Sequence, residues 1–256
     1  MLEGLFAGAV EDSNLREQSL SRLQLELLVS ERPPTLDAYH ALRRADQIKV
    51  LAEIKRASPS KGSLSDIQDV AALASKYANG GASAISILTE QRGFKGSLED
   101  LQIARSAVNV PMLRKDFISN EYQILEARAF GADIILLIAA GLDVETLERL
   151  SEFAGQLGLA VLMETHNERE VRIAVDLGCR LIGINARDLS TFETDRDLFS
   201  KLSHLLPADC IKVAESAVRN VDDVRHYRSA GADVVLVGEA LVTGDAEALL
   251  REFTSV

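Results

Sequence analysis

Short apolar runs alternate along the chain with longer stretches of helical spacing. The runs are IKVLAEI (48–54), ASAISIL (82–88), VPMLR (110–114), DIILLIA (133–139), GLAVLME (158–164), RLIGIN (180–185), IKVAE (211–215) and DVVLVG (233–238). They are rich in Ile, Val and Leu without strict alternation, as expected of parallel strands covered on both faces. The segment after each one reads as helix. Ser97 with Asp100, Thr165 with Glu168, and Asn220 with Asp223 predict capping-box-like helix starts. Glycine marks helix ends in YANGGAS, AFGAD, DLGCR and SAGAD, before the second, fourth, sixth and eighth runs.

Eight strands alternating with eight helices over roughly 210 residues predict an α/β fold, a (β/α)8 TIM barrel. A doubly wound open sheet is the competitor, but the turn after the first run is RASPSKG and holds no G-x-G-x-x-G. Residues 1–256 are expected to form one domain, of which 1–46 is a helical N-terminal extension. Its helical segments are LFAGAV, LREQSLSRLQLELLV and AYHALRR, with ERPP as a breaker. The extension is expected to cap one end of the barrel or to cover the rim of the active site.

In such a barrel, function sits at the carboxyl ends of the strands. The alternation in LAEIK puts Glu53 and Lys55 on one face, with Ala52 and Ile54 on the other. The other ends carry Thr89 and Glu90; Arg114, Lys115 and Asp116; Glu164; Asn185 and Arg187; Glu215 and Ser216; Gly238 and Glu239. The fourth run alone ends apolar, in Ile138, Ala139 and Ala140. Carboxylates and lysines converging on one mouth are costly to desolvate unless they pair with each other or with a ligand. Such pairing pushes pKa values apart and equips one site with both a proton donor and a proton acceptor. The Gly238 turn, after the eighth run, fits a phosphate site built from backbone N–H groups. Lys55, adjacent in a closed barrel, can add a positive charge to the same anion.

Composition narrows the function further. With 47% hydrophobic and 26% charged residues the chain is an ordinary globular sequence, and no apolar run reaches bilayer length. The opening MLEGLFAGAVED lacks the features of a signal peptide. A net charge of −11 without a basic stripe argues against nucleic acid, yet allows a small anion bound in one cationic cleft. Cys179 and Cys210 read as buried free thiols of a cytoplasmic protein. The four histidines are scattered and read as structural or solvated, and no metal site is expected.

AEIKRASPSKG, LTEQRGFKGSLEDL, LRKDFI, DIILLIA, VLMETHNERE, IGINARDL, VAES and LVGEALV together resemble the indole-3-glycerol phosphate synthase family, in order and at every strand from about residue 48 to 245. Residues before that resemble it only in being helical. The resemblance implies a cofactor-free carboxy-lyase of tryptophan biosynthesis that closes the pyrrole ring of 1-(2-carboxyphenylamino)-1-deoxyribulose 5-phosphate, losing carbon dioxide and water. By motif, Lys115 resembles the general acid and Glu164 the general base. Glu53 orients the lysines, Lys55 holds the substrate carboxylate or phosphate, and Asn185, Glu215 and Ser216 complete the catalytic set. Ser58, Arg187, Ser216, Ala217, Gly238 and Glu239 are implied for the phosphate, and Phe94, Phe117, Leu136 and Leu137 for the ring pocket. Ala217 stands where the family usually has glycine, so φ there is expected not to be positive. Glu239 is expected to turn its charge away from the phosphate. The loop SPSKGSLSD reads as a lid or as a long surface turn. The partner expected is a small anionic phosphosugar–anthranilate substrate, with no membrane or nucleic acid, acting on a monomer that can associate with other enzymes of the pathway. A phosphosugar isomerase on the same barrel, or a paralogue that binds without turnover, are the rival readings.

Overall fold

The computed structural model describes residues 2–59, 61–188, 191 and 193–256. Ser60 of the SPSKGSLSD loop and Leu189 of the IGINARDL motif lie outside them. Among the described residues, eight parallel strands close into a barrel: β1 Lys49–Ile54, β2 Ala84–Leu88, β3 Met112–Lys115, β4 Ile134–Ile138, β5 Ala160–Thr165, β6 Leu181–Asn185, β7 Ile211–Glu215 and β8 Val234–Val237. Closure comes from β1, which pairs with β8 (Val50 opposite Val235) and with β2 (Ala52 opposite Ile85). Closing the sheet removes its edges, so no strand is left with an unpaired row of backbone groups.

Alternation along each strand divides the apolar residues into two cores. Val50, Ala52, Ile85, Ile87, Ile135, Leu137, Ile182 and Val235 face outward into the helix layer. Leu51, Leu113, Ile134, Leu136, Leu162, Leu181, Val213 and Leu236 fill the barrel interior. The covering helices are α4 Val70–Asn79, α5 Leu98–Ala107, α6 Glu121–Ala129, α7 Val144–Gln156, α8 Glu168–Asp176, α9 Leu198–Leu202, α10 Val221–Ser229, α11 Glu239–Thr243 and α12 Ala246–Phe253. The eighth helical position is thus split between α11 and α12. Helix α7 shows why these segments fold as they do: Leu147, Leu150 and Ala154 share one buried face, and Asp143 caps its start.

Ser97 and Asn220 cap α5 and α10 as the sequence predicts. Thr165 does not cap α8. It is the last residue of β5, its hydroxyl donates to the Gly183 carbonyl at 2.8 Å, and Asn167 is the cap. Before the even-numbered strands, Gly81, Gly131, Gly178 and Gly231 all have positive φ, which explains the recurring junction.

The N-terminal extension wraps the barrel from rim to base instead of capping one place. Its helices are α1 Leu2–Ser19, α2 Arg22–Glu31 and α3 Ala38–Leu42. The helical segment LREQSLSRLQLELLV is broken at Ser21, whose capping box with Gln24 starts α2. Helix α1 lies at the carboxyl rim, where Phe6 packs edge-on to Phe117 at 5.6 Å and Arg92 pairs with Asp12 at 2.7 Å. Helix α2 lays Leu25 over Tyr122, Leu125 and Ala129, so α6 is buried on every side. Helix α3 sits at the amino end, with Ala38 and Leu42 in the interior core and the Arg180 guanidinium 4.0 Å from the Tyr39 ring centroid.

Arg114 joins this extension to the barrel. It points out of β3 and is fully buried, with Asp116 at 2.9 Å, Glu126 at 3.2 Å and the Gln123 carbonyl at 2.6 Å. Glu126 also holds Arg16 of α1. A buried cation so enclosed contributes mainly by keeping two acids neutralised. Arg114→Met, which leaves Asp116 without its cation and Glu126 with Arg16 alone, is expected to lower unfolding free energy in urea by about 3–5 kcal/mol, against less than about 1 kcal/mol for the exposed i,i+4 partner change Arg172→Ala.

Candidate active site

The same parity that sends Arg114 outward sends Lys115 inward. At the carboxyl end of the barrel the interior core stops at Leu136, Ile138, Leu162 and Leu236, and the next inward positions are Glu53, Lys115, Glu164, Asn185, Glu215 and Gly238. These form the floor of a cleft of about 630 Å³. Phe94, Phe117, Leu136 and Ile138 line one part of it as apolar wall, with Phe94 and Phe117 rings 6.1 Å apart.

Lys115 stands at the centre. Its Nζ lies 2.8 Å from Glu164 Oε2 and 3.2 Å from Glu215 Oε2, and both carboxylates are buried. Burial opposes the ammonium charge, but Glu164, Glu215 and Glu53 outweigh it and push the lysine pKa up. The two acids divide. Burial would raise Glu164, yet Lys115 and His166 overcome this and hold it well below the usual carboxylate range. Glu215 goes the other way: burial raises it, Lys115 offsets only part, and the charge on Glu164 raises it further. The site therefore brings a carboxylate favoured in its ionised form, an acid driven toward its protonated form and an ammonium within contact distance, so that donor and acceptor groups stand side by side.

The rest of the floor is cationic and polar. Lys55 Nζ pairs with Glu53 Oε1 at 2.5 Å. The Gly238 backbone comes so close that a Cβ there would overlap Glu53 Oε1 and stand 3.2 Å from Lys55 Nζ. A Cβ at Gly183 would overlap Glu215 Oε1 in the same way. Ser216 donates to Asn185 Oδ1 at 2.7 Å, and that oxygen also accepts the Arg187 backbone N–H at 3.0 Å. Gly238 opens α11 with no side-chain cap. Glu239 turns away to Lys61, 2.5 Å off, a pair that ties the loop after β1 to α11 across the mouth. That loop is a small hairpin, Ala57–Ser58 against Gly62–Ser63, anchored at its base by Arg56 on Asp100.

Fifteen of the expected site residues line this cleft: Glu53, Lys55, Ser58, Phe94, Lys115, Phe117, Leu136, Glu164, Asn185, Arg187, Glu215, Ser216, Ala217, Gly238 and Glu239. Leu137 does not. Its parity places it in the outer core, and Ile138 takes the wall position instead. Ala217 departs from expectation in conformation, with φ +60° after Ser216 at +70°. The polar residues ending β2 are also structural: Thr89 donates to Asp116 Oδ2 at 2.5 Å, and Glu90 accepts backbone N–H groups of Arg92, Gly93 and Phe94. Cys210 is buried but Cys179 only half so. Sequence reasoning missed Arg196 and Arg219 as cleft residues, and His166 behind Glu164; Lys61, which it placed with Ser58 in the loop over the substrate, lines the cleft. Period-2 counting from Leu136 would have found Ile138. Arg196 lies in an irregular loop and carries no such signal.

A family model described as indole-3-glycerol phosphate synthase matches residues 6–253. It takes in most of the extension, which sequence reading had set apart. Indole-3-glycerol phosphate synthase of Leifsonia xyli subsp. xyli is 53% identical over the whole chain and 98% of its own length; that of Mycolicibacterium gilvum is 49% identical over the whole chain and 94% of its own. Among solved structures, 3-hexulose-6-phosphate synthase from Salmonella typhimurium superposes with TM-score 0.63 at 15% identity, covering 81% of this chain and 97% of that one. Thiamine phosphate pyrophosphorylase from Pyrococcus furiosus gives TM-score 0.61 at 16% identity, covering 82% and 94%. At such identity these two share the barrel alone.

The left-handed pair Ser216–Ala217 makes a separate prediction. A non-glycine residue there carries strain of about 1–2 kcal/mol, part of which glycine returns as extra unfolded-state entropy. Ala217→Gly is expected to raise the thermal midpoint by about 1–3 °C in a calorimetric scan. An unchanged or lowered midpoint would show that the loop bears no strain at this residue.

Proposed function

Because the chain belongs to the indole-3-glycerol phosphate synthase family, the carboxy-lyases of tryptophan biosynthesis acting on a phosphosugar–anthranilate substrate, we propose that ring closure runs in this cleft with Lys115 as general acid and Glu164 as general base. The observation that carries the assignment is the position of Lys115 Nζ between Glu164, at 2.8 Å, and Glu215, at 3.2 Å, on the floor of the cleft.

Ring closure turns the substrate's ketone oxygen into an alkoxide as the anthranilate ring carbon attacks, and that oxygen needs a proton as charge develops. Lys115 is positioned to supply it. Once that proton is given up, Glu164 keeps His166 as its cationic neighbour, and Glu215 is driven by burial and by Glu164 toward its protonated form. Loss of carbon dioxide is favoured where the carboxylate leaves water for an apolar wall, and Phe94, Phe117, Leu136 and Ile138 provide one. Dehydration then requires a proton acceptor beside the new ring, the role of Glu164.

The phosphate belongs at the other end of the cleft. There Ser216, Ala217, Gly238 and the start of α11 present backbone N–H groups, with Ser58, Lys55 and Arg187 around them. Glu53 orients Lys55, and the Glu239–Lys61 pair keeps the carboxylate off the anion. Asn185 fixes the Ser216 hydroxyl. A cytoplasmic setting, with the chain acting as a monomer, is part of the proposal; the free thiols Cys179 and Cys210 fit a reducing compartment.

The test is a continuous indole-fluorescence assay with the purified chain and the anthranilate deoxyribulose phosphate. Lys115→Met and Glu164→Gln are each expected to lower kcat by about 10²–10⁴-fold with folded far-ultraviolet dichroism. Full activity of either variant removes that residue's role.

A further inference from the structure

The turn after β5 holds a buried histidine that the proposed chemistry does not use. His166 follows Glu164 by two residues, and its side chain is 11% exposed. Its backbone N–H donates to Glu170 Oε2 at 2.7 Å, and its Nδ1 lies 3.2 Å from the same oxygen. Glu170 is itself fixed, since its Oε1 accepts from Asn167 Nδ2 at 2.5 Å and it sits in the first turn of α8. On the opposite edge of the ring, Nε2 lies 3.3 Å from Glu164 Oε1. That contact is one of charge more than of an aligned hydrogen bond, because Nε2 is buried with no well-oriented acceptor. Burial alone would favour the neutral ring, but Glu164 and Glu170 outweigh it and push the imidazole pKa up to about 10.

We propose that His166 is a positioning residue of the reaction: anchored by Glu170, its imidazolium holds Oε1 of Glu164 so that Oε2 stays on the Lys115 ammonium. The inference rests on the assignment of Glu164 as base. A helix-capping carboxylate thus reaches the reacting centre through one ring. The charged groups around Glu164 are Lys115 from β3, Glu215 from β7 and His166 itself, with Glu53 from β1 acting on Lys115. Of these, His166 supplies the positive charge that is not consumed when Lys115 gives up its proton. Without it, Glu164 competes less well with Glu215 for the ionised state, so its pKa rises and the base is lost at a higher pH.

The experiment compares His166→Leu, His166→Gln, Glu170→Gln and Glu164→Gln in the fluorescence assay across pH, each checked for folding by dichroism and thermal unfolding. His166→Leu is expected to lose about 10- to 100-fold in kcat, the effect of removing a buried positive charge 3.3 Å from the carboxylate, with KM within about 3-fold. Its acid limb in kcat should move up by about one pH unit, because a neighbouring positive charge has gone. His166→Gln keeps a neutral donor of similar reach; it should recover most of kcat while keeping the shifted limb. Glu170→Gln should shift the limb in the same direction by less, and with His166→Gln it decides the matter should the leucine variant fail to fold. An unmoved acid limb in the folded variants, or a rise in KM alone, overturns the inference while an inactive Glu164→Gln leaves the base assignment standing. An active Glu164→Gln overturns the assignment itself, and the positioning role with it.

Discussion

The ammonium of Lys115 between Glu164 and Glu215 is the interaction on which the site depends. Three ionisable groups at the mouth of an apolar barrel would each be costly alone. Held within 2.8–3.2 Å of one cation, the two acids cease to be equivalent. One is stabilised as carboxylate and the other is driven to keep its proton, since two unscreened negative charges cannot share so small a volume. Chemistry follows from that asymmetry. Geometry alone would have left two similar acids and no reason for distinct roles.

The asymmetry comes from His166, whose charge acts on Glu164 and not on Glu215; the cation between the two acids comes from β3, which carries two adjacent cations with opposite parity. Arg114 faces the helix layer and satisfies Asp116 and Glu126; Lys115 faces the interior and satisfies Glu164 and Glu215. Neither set can substitute for the other, because a one-residue slip of the strand would exchange them and bury both with the wrong partners. Through Glu126 the outer set also holds Arg16 of α1, whose Phe6 supports Phe117 in the cleft wall. Register of one short strand thus links the extension, the wall and Lys115.

Parity was also what made the sequence legible. Reading Glu53 and Lys55 as interior residues needed only the period of a strand, and the same count separates Leu136 from Leu137. It was not applied in β4, where an unbroken apolar run offers no polar residue to fix the phase. Thr165 was mistaken for a helix cap because its spacing to Glu168 mimics a capping box, whereas its hydroxyl serves the Gly183 carbonyl. The break at Ser21 left a signal, Gln24, but the apolar residues on either side hid it. Seven polar strand ends looked like one site; those of β2 in fact build the loop and the Arg114 cage, since a buried polar group satisfies its bonds as readily inside the fold as on a ligand. His166 was invisible for the reverse reason. A single histidine in a turn has no pattern, and its meaning appears only when Glu164 and Glu170 are seen on either side of the ring.

The chain carries a net charge of −11, and several cations that line the cleft are paired with carboxylates. Lys55 rests on Glu53, Lys61 on Glu239, and Arg196 and Arg219 share Asp223. Each pair limits the cost of burying or crowding the cation while the cleft is empty. It also sets a condition on what binds, because an anion gains only the difference between its own contacts and those the carboxylate already provides. Ser216, Ala217 and Gly238 line the same cleft and bring no side-chain charge of their own to it. The left-handed backbone at Ser216 and Ala217 belongs to this arrangement. Strain there is the cost of fixing N–H directions in a loop, and the fold meets it by tying the Ser216 carbonyl to the Tyr227 hydroxyl at 3.3 Å and its side chain to Asn185. What the mouth offers an anion is therefore less than the sum of its positive charge, because its cations are already paired.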